Sequence, residues 1–249
     1  MLNNTCLVCA SHVSEILHLG MHPYADTFIP PDRLCQSEPV LPLVVCMCKK
    51  CSHFQTLYQT DANSRYNLYQ YSYHSGHSAM AKSYWDGFYQ SMLGYDHQKV
   101  IEIGANDGYL IDQFKNTSKI LAIDASEEMC QKMLNNNISA ICCTLTRPTV
   151  EKILSEFGKA NLIIANNTFN HANNPFEFLS CVSKLLEDSG VFVFQVPYWN
   201  HMLETGRFDQ IYHEHVNYFT VKNLKNILST WGFNIIKLEK VNYHGISLK

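Results

Sequence analysis

From Lys99 onward, short continuous apolar runs recur along the chain: Val100–Ile103, Ile120–Ile123, Leu162–Ala165 and Val191–Gln195, with stretches of helical periodicity between them. Unbroken apolar runs read as strands covered on both faces, and their alternation with helices predicts an α/β fold with a mainly parallel sheet. Near the end, Phe233–Leu238 and His244–Leu248 are two more apolar segments separated by a short turn, which predicts a final antiparallel pair. Upstream, Met80, Tyr84, Phe88 and Met92 fall at helical spacing within Ala79–Leu93 and predict a connecting helix. The first sixty or so residues are different again, with most of the prolines in short, turn-punctuated segments that suit small strands and loops. Three regions are therefore expected: 1–62, a connector at 63–96, and the α/β domain at 97–249.

Composition narrows what these regions can do. With 249 residues, 46% of them hydrophobic, the chain can bury an α/β core and add a smaller appendage. A net charge of -3, with Lys and Arg scattered, gives no electrostatic footprint for nucleic acid or an anionic membrane. The N-terminus has no basic start followed by an apolar run, and no window reaches roughly eighteen uninterrupted apolar residues, so a cytoplasmic protein is expected. Nothing in the sequence fixes an oligomeric state.

Six of the ten cysteines lie in the first region. In a reducing compartment they point to metal ligation or buried thiols rather than disulfides. Cys6-x-x-Cys9 and Cys48-x-x-Cys51 form two knuckles, and each two-residue gap lets both thiolates face one ion. Four thiolates leave no open coordination position, so the expected zinc is structural. Cys46 competes with Cys48 by proximity, but only Cys48 gives the two-residue gap to Cys51.

The run Ile101-Glu102-Ile103-Gly104-Ala105-Asn106-Asp107-Gly108-Tyr109-Leu110 places a strand, a glycine turn and a helix start in sequence. Gly104 permits a tight turn beneath a cofactor, Gly108 a close approach of the following helix, and Asp107 a cap on that helix. The dinucleotide pattern G-x-G-x-x-G is absent, since Asn106 stands at its second glycine. Glu102 and Asp107 would repel a diphosphate but suit the cationic amino-acid part of S-adenosylmethionine. Asp124 ends the next strand, where a carboxylate can accept both ribose hydroxyls.

Tyr212-His213-Glu214-His215 concentrates groups that move or hold protons. Read as an extended segment, it pairs Tyr212 with Glu214 on one face and His213 with His215 on the other. A base of near-neutral pKa is what proton removal beside a carbonyl requires, and His supplies it. His171, with Asn166 and Asn167, follows the fourth strand, on the side where open parallel sheets bind ligands. Tyr71-Ser72-Tyr73-His74-Ser75-Gly76-His77-Ser78 precedes the connecting helix and suits a lid.

Taken in order, these motifs, with Leu19-Gly20-x-x-Pro23, Phe208-Asp-x-Ile before the Tyr-His-Glu-His block and His244-Gly-x-Ser247, resemble the sugar C-methyltransferases that act on thymidine-diphosphate 4-keto-deoxysugars. The resemblance spans the whole chain. It implies a Rossmann-like class I methyltransferase sheet, mostly parallel with an antiparallel last strand, and a small N-terminal zinc-binding domain. It also implies a nucleotide-sugar substrate and proton removal beside its C4 ketone, the enolate then attacking the methyl of S-adenosylmethionine. Carried over by motif, His215 is the base, Tyr212, Glu214 and His171 shape the enolate site, and Tyr73 or Tyr71 completes it. Glu102, Gly104, Asn106, Asp107, Gly108, Asp124, Asn166 and Asn167 bind the cofactor, and Cys6, Cys9, Cys48 and Cys51 the zinc. Family members usually continue into a third, Rossmann-like domain, so a chain ending at Lys249 is expected to be a fragment or a short form. Gln195 stands at an expected glutamate, and Ile246 at the second glycine of the usual His-Gly-Gly-Ser. The alternatives are methyl transfer to oxygen or nitrogen, and an inactive protein that binds S-adenosylmethionine and zinc.

Overall fold

The structure is a computed structural model that describes residues 4–25, 27–35, 37–67, 70, 71, 74–243 and 245–249. The chain begins with β1 (Val13–His22), β2 (Thr27–Phe28), β3 (Leu41–Cys48) and β4 (Phe54–Thr56), followed by α1 (Ala62–Asn67), β5 (Gln70–Tyr71) and α2 (Ala79–Met92). Strands and helices then alternate: β6 (Lys99–Ile103), α3 (Tyr109–Asp112), β7 (Lys119–Asp124), α4 (Glu127–Asn135), β8 (Ala140–Cys142), α5 (Arg147–Glu156) and β9 (Ala160–Asn166). A 3-10 turn (Phe169–His171), α6 (Pro175–Leu185) and β10 (Leu186–Pro197) come next. The chain ends with α7 (Trp199–Thr205), β11 (Asn217–Tyr218), α8 (Val221–Thr230), β12 (Lys240–Asn242) and β13 (Ile246–Leu248). No helix among the described residues is long and apolar enough to cross a membrane.

Two compact units result. One comprises residues 1–72, 169–176 and 195–249, and the other residues 73–168 and 177–194.

The second unit holds the strands β10-β9-β6-β7-β8 in that order, with β9, β6, β7 and β8 parallel. Val100, Ile101, Leu162, Ile163 and Ile164 are fully buried, as unbroken apolar runs require. Local signals set the helices. Ser126 accepts from Met129 N–H at the start of α4, which buries Met129, Cys130 and Met133. Thr146 and Thr149 form a capping box at α5. Ser78 caps α2, whose buried face is Trp85, Phe88 and Met92, whereas Met80 is 84% exposed. The apolar stripe thus runs through Trp85 rather than through Met80 and Tyr84.

In the first unit β1-β3-β4-β11 form an antiparallel sheet. Leu43 and Val45 of β3 pack with Trp199, Met202, Ile211 and Tyr218, so residues far apart in sequence share one core. The last residues of β10 pair antiparallel with β13 (Val196↔Leu248), and β13 with β12. The final antiparallel pair is therefore present, but its first strand is Lys240–Asn242 and not Phe233–Leu238. Residues 233–238 form no strand, and Ile235, Ile236 and Leu238 are exposed, because no strand offers this stretch a ladder partner among the described residues. The architecture is α/β, with a mostly parallel sheet, antiparallel last strands and an N-terminal cysteine-bearing module.

Candidate functional site

The Sγ atoms of Cys6, Cys9, Cys48 and Cys51 all lie within 4.8 Å of one another, with Cys6–Cys51 and Cys9–Cys48 each at 3.5 Å. Four sulfurs held about 2.3 Å from one zinc ion sit roughly 3.8 Å apart along each tetrahedral edge, so the cluster fits the ion. Backbone turns bring the knuckles into place: Ala10 N–H donates to Cys6 O, and Ser52 N–H to Cys48 O. Cys46 is buried on β3, outside the cluster.

The cofactor-loop residues all lie in the second unit, at the carboxyl ends of β6, β7 and β9. The order β8-β7-β6-β9-β10 reverses direction between β6 and β9, and ligands of open α/β sheets bind at such a point. Gly104 (φ +73°) begins the loop, and a Cβ there would run into the Thr168 side chain that follows β9. Asn106 and Asn167 take the left-handed region at φ 54° and 50°, which asparagine tolerates better than most residues. Asp124 Oδ2 accepts from Asn106 N–H and its Oδ1 from Ser126 N–H, both at 2.8 Å. Each carboxylate oxygen can accept more than one hydrogen bond, so capacity remains for ribose hydroxyls. Asp107 Oδ1 accepts from Tyr109 N–H at the first residue of α3, where Gly108 holds the N-cap position.

Glu102 is buried beneath this loop, and its Oε2 has no partner. Burial, then the nearby Asp107 and Asp124 charges, push its carboxyl well above the usual range, against one hydrogen bond from the Ile111 backbone. The Asn166 amide and Asn167 Oδ1 are also buried without partners. A cationic amine and hydroxyl-rich ribose are what such orphaned acceptors take, so the crevice fits S-adenosylmethionine. The segment before α2 lies against the same loop: Ser75 N–H donates to Asn106 Oδ1 at 2.9 Å and Gly76 N–H to Asp107 Oδ2 at 2.8 Å.

The histidine constellation belongs to the first unit. Residues 212–214 form a turn, not an extended segment, closed by His215 N–H to Tyr212 O at 3.0 Å. The turn overrides strand alternation and pairs Tyr212 with His215 instead of Glu214: the Tyr212 hydroxyl lies 2.7 Å from His215 Nε2. His215 Nδ1 faces Gln210 O at 2.8 Å, and a carbonyl can only accept, so Nδ1 carries a proton and, in the neutral ring, Nε2 offers its lone pair to the Tyr212 hydroxyl. His171, at the end of the 3-10 turn, places its ring 5.1 Å from that of His215. Its Nδ1 meets the Tyr66 hydroxyl at 2.8 Å, and its Nε2 is sealed from solvent with no partner. Burial, then the His215 and Arg65 charges, hold His171 well below the usual imidazole pKa, so its ring is neutral. Glu214 and His213 are buried in the same turn, and burial lowers the His213 pKa despite carbonyls of Pro42, Leu41 and Pro23 around it.

Tyr66, Arg65 and Gln210 carry no motif of their own and are found only through their contacts; the one sequence signal is a lone basic residue at the start of an aromatic stretch. Tyr73, the Tyr71 side chain and His244 lie outside the described residues.

A family model described as a methyltransferase domain matches residues 79–238. The chain belongs to the methyltransferase-domain family. A second model, described as a zinc-binding domain, matches residues 6–66 around the cysteine knuckles. The chain is 24% identical over 247 residues to C-methyltransferase NovU of Streptomyces niveus, covering 98% of this chain and 59% of that protein. It thus spans about three-fifths of the length of that relative. Among solved structures, the PH0226 protein of Pyrococcus horikoshii OT3 aligns with TM-score 0.57 and 16% identity over 71% of this chain and 92% of its own. A SAM-dependent methyltransferase from Archaeoglobus fulgidus aligns with TM-score 0.53 and 18% identity over 64% and 72%. These two establish the fold.

Proposed function

We propose that this methyltransferase places the methyl group on carbon, beside the ketone of a nucleotide-linked 4-keto-deoxysugar. The observation that carries the reading is the pair of phenol–imidazole contacts, Tyr212–His215 and Tyr66–His171, with the two imidazoles 5.1 Å apart. Transfer to carbon needs a proton removed first, whereas many transfers to oxygen or nitrogen depend mainly on proximity. His215 supplies the base. Its Nδ1–H is fixed by Gln210 O, and its Nε2 lone pair takes up the proton through the Tyr212 hydroxyl that already sits on it. His171, neutral and with Nε2 uncommitted, is suited to hydrogen-bond the carbonyl oxygen as negative charge develops there, as a neutral imidazole electrophile does. Glu214 is buried in the same turn and tunes it. Glu102 and Asp124, beside the Gly104 turn, would hold S-adenosylmethionine, which would supply the electrophilic methyl. The nucleotide-sugar class rests on the motif resemblance and on the C-methyltransferase relative.

The test is mass spectrometry of the chain with S-adenosylmethionine and a panel of thymidine-diphosphate 4-keto-6-deoxysugars in deuterated water. The expected product gains one methyl, and solvent deuterium enters beside the ketone; His215→Gln removes both signals. Methylation without exchange, unaffected by His215→Gln, would point to an oxygen or nitrogen acceptor and overturn the reading.

A further inference from the structure

Arg65 is 1% exposed, yet it forms no ion pair with a carboxylate among the described residues. Its partners are neutral. Nη1 donates to His213 O at 3.4 Å, and Nη2 to His171 O at 3.4 Å and to Asn173 Oδ1 at 3.2 Å, while Nε has no partner. Asn173 is itself held, since its Nδ2 donates to Thr60 O at 2.9 Å. The guanidinium also lies 5.7 Å from the centre of the Tyr66 ring, which stacks at 14° on His171.

A buried cation facing only neutral acceptors is costly, because carbonyl dipoles replace water only in part. A long apolar side chain would fill the same space without that cost. The three acceptors, moreover, are not arbitrary: two are main-chain carbonyls of residues that bear the site's histidines. Planar guanidinium geometry lets one group reach both at once, which a lysine ammonium at the same place does less well.

We propose that Arg65 is a positioning residue of the acceptor site, spanning the carbonyls of His171 and His213 to fix both segments and setting an uncompensated positive charge beside the His171 ring. The proposal rests on the carbon-methylation reading for its purpose, though not for its test. The charge has two effects there. It disfavours protonation of His171, which keeps Nδ1 an acceptor for the Tyr66 hydroxyl and leaves Nε2–H to donate to a developing oxyanion, and it lowers the energy of that oxyanion through a medium of low dielectric. Among the described residues, the other titratable groups packed around His171 are Tyr66, through the hydroxyl on Nδ1, and His215, with Tyr212 behind it. Of these groups, Arg65 alone holds its charge at every accessible pH.

The experiment is an NMR titration of the full chain labelled with isotopic histidine, with the His171 signal assigned through His171→Gln. In the native protein His171 stays neutral through pH 6. In Arg65→Gln and Arg65→Met its midpoint moves upward, and in Arg65→Lys, which keeps the charge without the fork, it stays close to that of the native protein while the melting temperature falls. A native His171 that protonates near the ordinary imidazole value of about 6.5 overturns the proposal with no variant needed. So does an unchanged midpoint in either folded neutral variant. Deuterium exchange into the keto-sugar, followed against pH, reports on purpose: its acid limb moves upward in Arg65→Gln. If native chain and variants all lack exchange while the NMR shifts appear, the carbon-methylation reading fails and the role of Arg65 stands.

Discussion

Among single residues, Glu102 shows how a fixed charge requirement divides stability from function. Its carboxyl is raised above 4.5 by burial and by its acidic neighbours, so between that value and its folded pKa the native state binds more protons than the unfolded chain. Stability attributable to this group is therefore present below about pH 4.5 and lost as pH rises through the folded pKa. Glu102→Gln should melt higher than the native chain at pH 7 to 8, with the difference shrinking toward pH 4.5. It should also bind S-adenosylmethionine roughly 10- to 100-fold more weakly by calorimetry, the scale of one lost charge-assisted hydrogen bond. A variant that neither gains stability at pH 8 nor loses affinity would remove Glu102 from the cofactor site. The sequence showed this acid because β6 and the glycine turn fix its place. It did not show that Tyr212 meets His215, because alternation holds only in extended backbone and a turn places residues three apart side by side. Tyr66 was illegible for a simpler reason: its partner is 105 residues away.

Elements read well where local signals set them and poorly where they depend on partners. The capped helices and the apolar strands β6, β7 and β9 follow from spacing and end residues alone, and α2 lies where its periodicity predicts. Phe233–Leu238 carries an equally apolar pattern but forms no strand, because strand formation needs a neighbouring ladder and this stretch is exposed instead. Gly104→Ala adds a methyl that meets Thr168 at a backbone angle L-residues avoid, so it should cost about 2 kcal/mol or more in denaturant unfolding and abolish measurable cofactor binding. Gly87→Ala, in the middle of α2 with nothing within 4 Å of the added methyl, is the control and should be neutral or slightly stabilising. For the cysteine knuckles, Cys48→Ser should lower bound zinc well below one per chain by elemental analysis, and Cys46→Ser should leave it intact. The reverse result would move the ligand from Cys48 to Cys46.

At the level of the whole chain, the sequence order conceals a dependence of the histidine turn on the cysteine-bearing sheet. β11, directly after the turn, pairs with β4, so Asn217 lies opposite Gln55 and Tyr218 opposite Phe54. Thr56 N–H donates to Val216 O at 2.9 Å, and His53 meets Asn217 Oδ1 at 3.1 Å. Gln55 in turn joins the first knuckle, accepting from Leu7 N–H at 2.8 Å and donating to Thr5 O at 3.0 Å. Three regions remote in sequence thus share one hydrogen-bonded network, which links the first knuckle through Gln55 to β11 and the turn before it. A module this small is expected to depend on its metal, since a structural zinc contributes folding free energy directly. Chelation should therefore raise hydrogen exchange across the described parts of residues 1–72 and also at 210–218. The strands β6, β7 and β9, whose parallel ladder belongs to the other unit, should keep their protection and gain more on adding S-adenosylmethionine. Loss confined to the first seventy residues would show that the histidine turn stands without the metal, and that the zinc serves the N-terminal module alone.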